Sequence, residues 1–132
     1  MLSYVWIGLG GAIGSIARFA IAAAIDRASA DPFPLGTVLV NISGCLVIGF
    51  FAALTTPGGR YGVPIDVRQF VMVGICGGYT TFSSFSLQTL VLVDVGDVFR
   101  AGLNVVVSVV MCLLAVWIGS MMGHALAPLK GH

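Results

Sequence analysis

The chain has 132 residues, 58% of them hydrophobic and only 8% charged, with a mean hydropathy of +1.07 and a net charge of +1. A soluble domain carries about 25% charged residues, so this chain lacks the polar groups to cover a water-exposed surface. It reads as a single all-α integral membrane domain over residues 1–132, with the lipid bilayer as a partner and no charge excess to hold a nucleic acid.

Four apolar runs approach the ~20 residues of a spanning helix, at about 4–25, 35–55, 68–92 and 100–123. The first, "YVWIGLGGAIGSIARFAIAAAI", has no basic leader and exceeds the roughly 7–15 residues of a signal-peptide core, so it reads as a span. Its Gly10 and Gly14 make a GxxxG pair, which packs helices within one subunit or forms a dimer seam. Arg18 lies inside this span, where an arginine costs ~2.5–3.5 kcal/mol. It either snorkels to the interface or draws anions, since Asp26 is two turns on and too far to pair. "DRASADPFP" ends the run.

In the second run Thr37, Asn41, Gly44 and Cys45 share one face. Asn41 is its strongest polar group, with an amide that both donates and accepts. It either bonds another helix or serves a function. "TPGGRYGVPID" follows, with Asp66 as an expected N-cap of the third run. "DVGD" predicts a tight turn, with Asp97 capping the fourth. There Asn104, Ser108 and Cys112 form a mildly polar stripe, and Gly119 and Gly123 a second GxxxG pair. Cys45, Cys76 and Cys112 lack metal-site spacing and read as small buried fillers.

The third run holds "GGYTTFSSFS" at residues 77–86. Gly77 and Gly78 weaken a helix, so a break is expected at membrane depth. Backbone groups freed there must meet protein, an ion or a water-filled cavity. Freed carbonyls are hard oxygen ligands suited to a small cation such as Na⁺. After the break Phe82 and Phe85 share a face, with Thr81, Ser84 and Gln88 on an adjacent one and Ser83 and Ser86 close by. Phenylalanine edges are electropositive, and beside hydroxyl and amide donors they suit a small anion.

With the N-terminus cytoplasmic, Arg60, Arg68 and Lys130 fall inside and Arg27 and Arg100 outside. That near-tie leaves one orientation or insertion both ways equally open. Antiparallel copies would supply the inverted repeats that larger transporters use to enclose a path. A proton-coupled drug antiporter would need a mid-membrane acid, but the chain has no glutamate, and Asp26, Asp31, Asp66, Asp94 and Asp97 all fall at span ends or in loops. A non-transporting structural subunit would explain the glycines but not the Thr80–Ser86 pattern. No nucleophile–base pair points to an enzyme, and His124 and His132 lie at or beyond the last span.

"GGAIGSIAR" (10–18), "GTVLVNISG" (36–44) and "GGYTTFSSFS" (77–86) resemble the Fluc/CrcB fluoride channels, in order, over essentially the whole chain. The resemblance implies four transmembrane helices with the third broken, in an antiparallel, dual-topology homodimer of a bacterial inner membrane. It implies passive F⁻ export through two pores. Asn41, Phe82 and Phe85 would line the pore, with Thr81, Ser83 and Ser84 in its hydroxyl-rich segment and Arg18 near a vestibule. Thr37 lies on the Asn41 face, and Asn104 and Ser108 would lie on a polar track that Cys112 weakens. The Gly77 and Thr80 carbonyls would hold a structural Na⁺ between subunits.

Overall fold

The computed structural model describes residues 2–29, 31–56 and 61–126. Arg60, Lys130 and His132 lie outside them, and with Arg60 and Lys130 goes part of the orientation count. All regular structure among the described residues is helical: α1 (Leu2–Ser29), α2 (Leu35–Leu54), a composite third span (Ile65–Asp94) and α6 (Val98–Leu126). All are long and apolar enough to cross a membrane, and each exceeds or nearly matches its expected run. Within the third span follow α3 (Ile65–Gln69), a wide-turned segment at Phe70–Cys76, α4 (Gly77–Tyr79) and α5 (Phe82–Asp94).

The junctions follow from local chemistry. Asp26, near the end of α1, accepts the Gly36 N–H at 2.7 Å, so one helix satisfies an orphan donor at the start of the next. At the α5–α6 turn, Gly96 takes φ 84°, while the Gly96 and Asp97 N–H groups bond back to Val93 and Leu92. That is a Schellman closure, and it needs a residue at ease with positive φ. Asp97 then caps α6 by accepting the Arg100 N–H at 3.1 Å, as expected. Its other oxygen accepts from the Arg100 guanidinium at 2.9 Å, and this hydrogen bond holds the Asp97 carboxyl below its ordinary value. Asp66 departs from expectation. Pro64 holds the N-cap position, and Asp66 sits in the first turn, accepting from Ser3 Oγ at 2.8 Å. An acid there still complements the helix dipole.

Spans alternate in direction, so α2 and α6 run parallel, and they form the most extensive helix pair. Glycines set their approach: a Cβ on Gly49 would strike the Val116 carbonyl, and one on Gly119 the Leu46 carbonyl. α1 packs on the third span in the same way, with Gly10 against Gly74, Gly14 against Ile75 and Gly78 against Gly11. Both GxxxG pairs therefore serve packing within the chain. At one end of the α1 contact Trp6 meets Phe70 edge-on, with ring centroids 6.0 Å apart.

The third span departs twice from a regular α-helix. Phe70–Cys76 widens to π geometry, with the Gly77 N–H reaching the Met72 carbonyl. Such stretches are rare and cluster at functional sites. Gly77 itself is helical (φ −65°, ψ −36°), and the extended residues of the break are Thr80 and Thr81. Gly78, within the helical part, allows the close approach to α1.

Gly119→Ala is expected to destabilise the purified protein by roughly 1–3 kcal/mol through overpacking against backbone. At Gly102 a Cβ would meet nothing within 4 Å, so this position should accept alanine and gain up to about 1 kcal/mol of helix propensity. Thermal melting of both variants by circular dichroism checks the contrast.

Candidate functional site

At the break Thr80 (φ −81°, ψ 156°) and Thr81 (φ −152°, ψ 118°) are extended. In a continuous helix the Thr81 N–H would meet the Gly77 carbonyl, and the Ser84 N–H the Thr80 carbonyl. Both donors are diverted. Asn41 Oδ1 accepts the Thr81 N–H at 2.7 Å, and Thr81 Oγ1 accepts the Ser84 N–H at 3.2 Å as N-cap of α5. Asn41 Nδ2 also donates to the Thr81 carbonyl at 3.0 Å. One amide side chain on α2 therefore satisfies both backbone groups of an extended residue inside the membrane.

The helical side of the break is held from α1. Arg18 Nε donates to the Gly78 carbonyl at 3.2 Å, joined more weakly by Ser15 Oγ at 3.4 Å. Arg18 thus reaches inward to the backbone of the third span. Thr80 Oγ1 donates to the Cys76 carbonyl at 2.9 Å, and Ser43 and Tyr79 share a hydroxyl contact at 3.0 Å.

Two concavities meet here. A cavity of about 310 Å³ is bordered by Asn41, Thr81, Phe82, Phe85, Ser108 and the thiols of Cys45 and Cys112, among others. The two rings lie 5.2 Å apart, tilted by 50°. Phe85 is 8% exposed and Phe82 77% exposed, so one ring faces the core and the other lies at the surface of the single chain. A crevice of about 240 Å³ is bordered by Arg18, Asp26, Thr37, Thr81, Ser84 and Gln88, among others. Gln88 Oε1 is buried there without a hydrogen-bond partner among the described residues. Thr81 borders both spaces.

Two of the expected pore residues stand apart from both spaces. Ser83 is exposed, with its hydroxyl 3.2 Å from Thr81 Oγ1. Asn104 is 1% exposed, donates to Thr89 Oγ1 at 2.8 Å and accepts from Ser108 Oγ at 3.3 Å. It therefore supports Ser108 from behind the cavity.

The polar stripes of α2 and α6 were visible separately in the sequence, but their alignment was not. Gly119 meets α2 between Leu46 and Phe50, and Gly123 meets it between Phe50 and Leu54. The two parallel stripes thus come together, and Asn41, Cys45, Ser108 and Cys112 border one cavity. Sequence reading also passed over Ser15, whose only signal was its position one turn before Arg18 on the same helix face.

Arg18→Met keeps the bulk and removes the charged donor. It is expected to lower stability by about 1.5–3 kcal/mol, read as a lower melting temperature of the purified protein. A side chain acting only as an anion lure would leave the melt where it was.

Comparison with known proteins bears on the same residues. The family model described as CrcB-like protein, Camphor Resistance (CrcB), matches residues 5–120. A protein of Opitutus terrae named Fluoride-specific ion channel FluC is 53% identical over 131 residues, 99% of each chain. One of the same name from Methylocella silvestris is 50% identical over 98% of this chain and 99% of its own. Another, from Paramagnetospirillum magneticum, is 56% identical over 90% and 93% of the two chains.

Proposed function

This chain belongs to the CrcB family, and on that premise we propose that it is a fluoride-selective channel that lets F⁻ leave the cell passively across a bacterial inner membrane. The observation that carries the reading is the cavity at the helix break, where the Asn41 amide, two phenylalanine rings and the Thr81 and Ser108 hydroxyls border one space. Fluoride is small and tightly hydrated, so a pore must replace its water with donors at several weak points. Asn41 uses one amide hydrogen on Thr81 and keeps another to offer. Electropositive ring edges extend the donor set. The amino end of α5, with its outward N–H groups, opens at the same place and favours negative charge.

Arg18 and the crevice beside it act as the vestibule. The guanidinium raises the local anion concentration, with Thr37 and Ser84 in the crevice wall. Thr81, common to crevice and cavity, is the handover point, and Ser83 tunes the Thr81 hydroxyl. Asn104 orients Ser108. A second, antiparallel copy closes over the exposed Phe82 and completes two pores, consistent with the weak charge bias of the loops.

The break also fits a small hard cation. Gly77 and Thr80 are among the residues whose carbonyls lose their regular helical donors, to Asn41 and Thr81 respectively. Together with their equivalents in a second copy they would hold a structural Na⁺, which would supply positive charge between the two pores.

Fluoride-electrode efflux from proteoliposomes, with chloride as competitor, tests the function directly. Asn41→Asp removes a donor and adds negative charge. Its efflux should fall to that of protein-free vesicles, and undiminished flux would refute the role given to Asn41. The paired change Phe82→Ile and Phe85→Ile should stop transport while the protein elutes from size-exclusion chromatography as wild type does. Wild-type conduction in that variant would mean that the rings only pack.

A further inference from the structure

Cys45 and Cys112 take no part in the mechanism above, although both border the cavity. They come from different helices, and their side chains lie close enough to interact at the same cavity wall. Both are free thiols, half-buried rather than sealed in the core. Cys76, on the third span, borders neither the cavity nor the crevice.

We propose that Cys45 and Cys112 form a two-thiol site for a soft, closed-shell monovalent cation such as Ag⁺ or Cu⁺, and that its occupation blocks the ion path. Thiolates select such cations over the hard ions around them. Binding exchanges bonds without any redox step. Two S–H bonds break, two S–metal bonds form, and the protons leave to water: two R–SH and Ag⁺ give R–S–Ag–S–R⁻ and two H⁺. The product carries one net negative charge, and it sits beside Asn41 and the rings where the anion must pass. Repulsion and bulk then act together, so the channel's own pore wall makes it sensitive to thiophilic metals. The blocking step rests on the fluoride-channel reading, whereas metal capture does not.

Silver nitrate in chloride-free buffer is the probe, and binding is measured apart from flux. Titrating purified protein should give about one tightly bound silver per chain with release of about two protons. Tight binding should weaken at least about tenfold in Cys45→Ser and in Cys112→Ser alike, and persist in Cys76→Ser. In proteoliposomes silver should cut fluoride efflux of the wild type and of Cys76→Ser at least about tenfold, reversed by excess dithiothreitol. The Cys45→Ser/Cys112→Ser double variant, normalised to its own silver-free flux, should resist. Tight binding retained in the double variant, or lost in Cys76→Ser, overturns the site. Silver bound at the pair with flux undiminished overturns the block. Absence of fluoride flux before any silver is added overturns the channel reading and leaves the thiol site standing on the titration alone. Should either single variant fail to fold, the other carries the binding comparison.

Discussion

The whole arrangement depends on satisfying the backbone of an interrupted helix in a medium that offers no water. An unpaired peptide group in hydrocarbon costs several kcal/mol, so Thr80 and Thr81 can be extended only because neighbours supply partners at that depth. Asn41 comes from α2 and Arg18 from α1, so the break exists only when three spans are in register. A slip of one turn on either neighbour would carry a side chain about 5.4 Å away and orphan the group it serves. The break is therefore also a lock on the packing. It separates charge as well: the carbonyl end of one segment faces one way and the amide end of α5 another. One defect in one helix can then present sites of both signs.

Glycine makes that lock reachable. Asn41 and Ser15 are short, and they meet backbone across a helix interface only if the axes come close. Gly10, Gly14 and Gly78 bring α1 onto the third span, while Gly44 leaves room for Thr80 and Tyr79. In lipid no hydrophobic force draws helices together, so close packing is what fixes their distance. The α2–α6 seam brings two polar stripes to one cavity, Asn41 and Cys45 from α2 and Ser108 and Cys112 from α6. Amide and hydroxyl are the stronger hydrogen-bonding groups of that set and the thiols the weaker.

Hydropathy was enough to find all four spans, because lipid demands long apolar runs whatever the fold. The ends were less legible: α1 and α6 continue beyond their greasy stretches because backbone hydrogen bonding outlasts low polarity. Asp97 was readable as a cap because cap and turn are local, whereas Asp66 lost that position to Pro64 two residues earlier. A break between Gly77 and Phe82 was legible from the weak helix propensity of the glycine pair, though propensity alone is a weak prior for its exact position. What decided its position was competition from Asn41, 40 residues away in sequence. The π stretch has no sequence signature that periodicity can pick up. The inward turn of Arg18 also needed tertiary information, since its partner is 60 residues distant.

The identity of residue 41 can be argued from the geometry alone. Thr81 presents an N–H and a C=O at once, so its partner must accept and donate together from one short side chain. Serine and threonine offer a single oxygen, which cannot span both groups at 2.7 and 3.0 Å in good alignment. Aspartate accepts but cannot donate, and its charge would oppose any anion in the adjoining cavity. Glutamine has the right groups on a longer stem, and the Asn41 side chain is already packed to 9% exposure. Asparagine alone closes the break, stays neutral and retains a hydrogen beyond those the clamp consumes. The amide that holds the backbone thus also borders the cavity, so under the proposed function the structural and functional parts of the site would be one residue.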